Sequence, residues 1–121
     1  MQTGWVRPDP EALEAVYDLE DDDDVEMLVE VVDMFVADGL PRLQRLGELC
    51  AGDDTAAVAE LAHALKSSFG NVGLPLAAEH CERLVQGARA GDLTAVHGLA
   101  ADTLALCAGL EAGLAAFLAE L

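Results

Sequence analysis

The chain has 121 residues, 53% of them apolar, with 23 acidic side chains against 6 basic ones and a formal net charge of −17. That length is one domain with a modest core, and that charge excludes nucleic-acid phosphates and anionic membrane surfaces as partners. Most of the charge keeps an apolar-rich domain in solution, and it favours partners whose docking faces are basic or neutral.

Residues 1–8 read as an irregular N-terminal arm and residues 9–121 as a helical bundle. In the arm Trp5 and Val6 have apolar surface to bury, with fraying as the alternative. Asp9-Pro10-Glu11 is a helix start, with Asp as N-cap and Pro at the first helical position, and it predicts a short helix to about Tyr17. Asp21 to Asp24 are four consecutive carboxylates. A metal site is one reading, but the run does not follow a Ca²⁺-loop pattern. Carboxylates before a helix are favoured by its dipole, so a solvated cap is the preferred reading. Asp23 and Glu26 have capping-box spacing. A second helix is predicted from about Asp24 to Cys50, with Val25, Leu28, Val32, Phe35, Leu43 and Leu46 on one stripe. Pro41 removes a backbone donor and crowds the carbonyl four residues back, so a kink or local break is expected at Gly39-Leu40-Pro41.

Ala51 to Asp54 form the next turn. Asp53 or Asp54 caps a third long segment, which should end near Val72 with Gly73 in the left-handed position. Leu74-Pro75 starts another helix, whose core stripe is Leu74, Ala77, Cys81, Leu84 and Ala88. Gly91-Asp92 closes it and caps a last helix, about 93–120, which buries some of Val96, Leu99, Leu106, Leu110, Leu114, Phe117 and Leu118. Helices joined by short turns are antiparallel neighbours. The expected fold is all-α, an antiparallel up-down four-helix bundle with a short extra N-terminal helix. Cys50, Cys81 and Cys107 are odd in number, widely spaced and helical, which points to reduced thiols in a cytoplasmic protein. Cys81 and Cys107 fall in apolar patterns and read as core. No basic-then-apolar leader opens the chain, and no uninterrupted apolar run of ~18 residues reads as a membrane span.

The stretch Leu61 to Gly73 carries the chemistry. With 100° per residue and Leu61 at 0°, Val58, Leu65, Ser68 and Val72 fall within about 60° of Leu61, with Ala62 and Phe69 on one flank. That predicts the buried stripe. His63 falls at about 200°, on the wet side. Lys66 and Ser67 follow one turn along, and Ala56, Ala59 and Gly70 leave the face free of bulk. An exposed imidazole is a nucleophile near neutral pH. A phosphoryl group added there brings negative charge that a nearby lysine offsets, and a serine donates a hydrogen bond without bulk. His80 and His97 read as boundary histidines. No two histidines stand three or four residues apart, so none pair on one helix face for a metal. Glu60-x-x-His63 has di-iron spacing, but no second copy follows. No Walker loop, G-x-S-x-G or kinase nucleotide motif is present.

His63-Ala64-Leu65-Lys66-Ser67-Ser68, then Asn71 and Gly73, then Cys81 and Leu84, resemble the signature of histidine phosphotransfer (HPt) domains, in detail over roughly residues 58–85. The resemblance implies a four-helix bundle that shuttles a phosphoryl group between aspartates of receiver domains. It implies His63 as phosphoacceptor, Lys66 as electrostatic stabiliser and Ser67 as a phosphate-side donor, with Ala56, Ala59 and Gly70 giving the partner clearance. Receiver domains of response regulators and hybrid sensor kinases are the implied partners. The protein is then a phosphocarrier without kinase machinery or cofactor of its own, and the Mg²⁺ belongs to the receiver. Two positions depart from the pattern. Ser67 replaces the commoner Gly. The position after Leu84, often a Glu or Gln able to bond the histidine ring, is Val85, with Gln86 next. The alternative from a different class is a helical-bundle adaptor that binds a receiver or kinase without chemistry. A monomer is expected, and the initial Met and the compact length suggest a free-standing unit.

Overall fold

The computed structural model describes residues 3–121, so Met1 and Gln2 of the predicted arm lie outside the described residues. The described chain is all-helical: α1 Pro10–Glu14, α2 Asp22–Met34, a π-helical turn Phe35–Gly39, α3 Leu40–Cys50, α4 Thr55–Asn71, α5 Pro75–Arg89 and α6 Leu93–Ala119. No strand forms among these residues beyond an isolated bridge between Thr3 and Arg7. Side-chain caps set most of the helix starts. Asp9 accepts from the Glu11 amide, Asp54 from that of Ala57 and Asp92 from that of Ala95, each at 3.0 Å, so each satisfies a donor left over in a first helical turn. Gly73 and Gly91 end α4 and α5 at φ +74° and +67°, a conformation that costs a side-chain-bearing residue 1 kcal/mol or so.

Three local expectations need correction. The first helix stops at Glu14, and Tyr17 instead closes a turn back onto the Leu13 carbonyl while its hydroxyl donates to the Asn71 carbonyl at 3.1 Å. The cap of α2 is Asp21, which accepts from the Asp23 amide, so the Asp23–Glu26 capping box does not form. Of the other acids in that run, Asp24 accepts from the Asp18 amide at 2.7 Å. The break near Pro41 is a π turn lying just before it, in which the Leu40 amide reaches back five residues to the Phe35 carbonyl. One extra residue per turn resolves the conflict between Pro41 and the helix ladder without losing the apolar phase. Gly39 permits it, since a Cβ there would stand 2.9 Å from the Phe35 ring. That ring packs on Phe69 of α4 with centroids 5.4 Å apart.

Around the core, α3 packs on α4 and α6, α5 packs on α4 and α6, and the four helices close a ring of neighbours. Leu43, Leu46, Leu65, Phe69, Leu84, Leu106, Leu110 and Leu114 of these helices are buried, and Leu28 and Val32 of α2 are buried with them in one core. Cys50 and Cys81 are fully buried and Cys107 half-buried, all as free thiols. Burial pushes the Cys81 thiol up to about 12. By length and composition α6 is apolar enough to cross a membrane, although Asp102 and Glu111 interrupt its apolar run. Here one face of it is the wall against α3 and α5. The arm lies across this assembly. The Gly4 carbonyl accepts the Leu76 and Ala77 amides at the start of α5, the Asp9 amide donates to the Gly73 carbonyl, and Arg7 pairs with Glu120 beyond α6.

Candidate functional site

The buried face of α4 is Val58, Ala62, Leu65, Phe69 and Val72, centred about 60° round the helix from Leu61. Leu61 and Ser68 are half-buried at one edge, so the predicted stripe was rotated toward them. The correction does not bury His63. It stands about 140° from the true centre and is exposed, with no side-chain hydrogen bond among the described residues. Ser67 and Gly70 are exposed on the same side, as is Ala56. A Cβ on Gly70 would meet nothing within 4 Å. Ala59 differs from expectation: it is half-buried and packs against the core edge, because it sits on the flank that faces α5.

Lys66 lies on that same flank. Instead of standing free beside the imidazole, its Nζ donates to Glu82 Oε2 of α5 at 2.6 Å. The Gln86 amide donates to the other oxygen of that carboxylate at 3.2 Å. These two hydrogen bonds, Lys66 first, hold the Glu82 carboxyl below its ordinary range. Val85, the position at which the family pattern often carries a polar residue, is buried at 1% exposure in the α4–α5 seam. Gln86 is exposed and spends its amide on Glu82, so neither residue orients the His63 ring. Glu82 is the site residue that sequence reading missed. It lies 16 positions from Lys66, and only the register of two packed helices brings them together. The available signal was a carboxylate placed next to Cys81, at the edge of the predicted α5 stripe.

The remaining histidines do other work. His80 is buried, at 4% exposure, because Trp5 of the arm lays an edge against it with ring centroids 5.2 Å apart. The boundary position expected for it did not include the arm. Its Nε2 is 2.8 Å from Thr103 Oγ1, and that hydroxyl donates to the Leu99 carbonyl at 2.9 Å. The histidine is therefore the donor in its own bond, and burial pulls its pKa down. His97 Nε2 donates to the Gly52 carbonyl at 2.8 Å and holds the α3–α4 turn. Among the described residues no three His, Cys, Asp or Glu side chains gather into a metal-binding group.

The site is thus one exposed nucleophilic ring on a rigid helix, a cation at its flank held by a neighbouring helix, and small or open positions along the approach. Such a surface can accept a group that another protein delivers. A protein-family model described as "Hpt domain" matches residues 30–120. No curated protein and no solved structure matches the chain.

Proposed function

The chain belongs to the Hpt domain family, and from that premise we propose that His63 accepts a phosphoryl group from a receiver-domain aspartate and passes it to another receiver aspartate. The family carries phosphoryl groups in two-component signalling, and its members are phosphocarriers that meet receiver domains. In this chain the reading is supported above all by one observation: His63 is exposed on α4 with no side-chain hydrogen bond, while among the described residues no buried side-chain nitrogen or oxygen lacks a partner. A lone pair on one ring nitrogen attacks phosphorus in line. The nitrogen–phosphorus bond forms as the bond from phosphorus to the aspartyl oxygen breaks, the carboxylate leaves as an anion, and the proton stays on the other ring nitrogen. The protein contributes the nucleophile and its orientation. The receiver contributes the aspartate and Mg²⁺. Lys66 offsets charge on the phosphoryl oxygens, and Ser67 donates to one of them. Ala56 and Gly70 keep the approach clear. The four helices α3 to α6 run up and down as antiparallel neighbours in this reading, and the protein works in the cytoplasm as a monomer.

The experiment is incubation with a panel of phosphorylated receivers, scored for label that is labile to acid and stable to base. Native protein takes such label, while His63→Gln stays folded and takes none. A receiver that binds without label transfer would favour the adaptor reading.

A further inference from the structure

Resting on the reading of His63 as phosphoacceptor, we propose that Glu82 is a positioning residue. It holds Lys66 aside from the free imidazole and yields it when a phosphoryl group arrives. The two side chains are 42% and 36% exposed, and an ion pair that open to water contributes little to stability. Its geometry is nevertheless specified. The pair joins two different helices, α4 and α5, which pack closely on each other. The Gln86 amide fixes the carboxylate from its other oxygen, and the next basic pair along α5, Arg83 with Glu79, is satisfied within its own helix. Lys66 stands about 60° round α4 and one turn along from His63. From there a four-carbon stem lets one ammonium reach toward either neighbour.

The two neighbours compete by charge. A carboxylate carries one negative charge and a phosphoryl group about −1.5 to −2 near neutral pH. The unmodified ring leaves Lys66 with Glu82, and phosphorylation draws it over. Glu82 thereby subtracts from the stabilisation that Lys66 gives phosphohistidine, and it keeps the phosphoryl group poised for onward transfer. Glu82→Gln releases Lys66 fully to the phosphoryl group. The label then lasts roughly two- to fivefold longer, and equilibrium with a receiver shifts toward this chain by the same factor, as expected for an exposed charge pair.

The test labels native protein, Glu82→Gln, Lys66→Ala and the double variant with phosphoramidate, a small donor that needs no docking surface. It follows loss of label and its partition with one receiver at low and high salt. Glu82→Gln slows the loss at low salt, Lys66→Ala speeds it, Glu82→Asp restores native behaviour, and the Glu82→Gln effect vanishes in the Lys66→Ala background. Native lifetimes in Glu82→Gln, or an equal change in both backgrounds, overturn the proposal while label on His63 leaves the phosphotransfer reading standing. Absence of label on the native chain overturns both.

Discussion

Gly70 is where the approach to His63 can be obstructed without touching the ring. It lies seven residues on, about 10 Å along the helix and about 20° off in azimuth. A transient protein contact of about 500–600 Å² per partner has a radius of roughly 13 Å, so a receiver centred on His63 covers this position. Gly70 is exposed and a Cβ there meets nothing within 4 Å, so Gly70→Leu fits the folded chain. Replacing a helical glycine one residue before the end of α4 with a helix former adds roughly 0.5 kcal/mol, or ~2 °C in Tm. The four added carbons lift a docked partner by about 1 Å, and misplacement of reacting atoms on that scale costs up to ~100-fold in rate. We therefore expect receiver-to-His63 transfer to fall by roughly 10- to 100-fold, while labelling by phosphoramidate stays within about twofold of native. Paired labelling with the two donors reads this, with circular dichroism melts as the folding control. Equal losses with both donors would mean that the ring was disturbed. Undiminished transfer from the receiver would place the docking face elsewhere.

Thr103→Val leaves the His80 Nε2–H without its acceptor in a buried site and should cost about 1–3 kcal/mol in urea unfolding, with His63 labelling unchanged. Gly113→Ala drives a Cβ into the Val6 carbonyl oxygen, so the arm must move. Emission from Trp5, the single tryptophan, should shift to the red, with a stability loss of about 1–3 kcal/mol. His80 is held neutral with a folded pKa below the unfolded value, so the unfolded chain binds the proton more readily. Its contribution to stability is complete above about pH 6.5 and is lost as pH falls from there through the folded pKa. His80→Gln, which keeps a donor for Thr103 but does not titrate, should lose less stability than native protein between pH 7 and the folded pKa. Parallel pH profiles for the two would refute that assignment.

What could be read from sequence was whatever a single helix turn decides. Asp9, Asp54 and Asp92 cap because an aspartate before an amphipathic run has an open amide to accept from. Gly73 and Gly91 end helices because the chain must take a positive φ. The break at Pro41 was visible from its missing donor, but its π form was not, since it sets Gly39 against a Phe35 ring that packs on Phe69 of another helix. The phase of α4 was misread because Leu61 outweighs Ala62 in apolar size, whereas the packed face centres on the small residue. The surroundings of His80 and Lys66 were not legible, because their partners Trp5, Thr103 and Glu82 come from other elements. The exposure of His63 was legible, because the phase of one helix supplies it.

Everything proposed for this chain turns on whether His63 is the phosphoacceptor. The most direct measurement is localisation of the phosphoryl group after incubation with a phosphorylated receiver, by fragmentation mass spectrometry on peptides kept at alkaline pH. One phosphoryl group is expected on the native chain, carried by the peptide containing His63 and by neither the His80 nor the His97 peptide. Label on another residue, or label retained by His63→Gln, would contradict it.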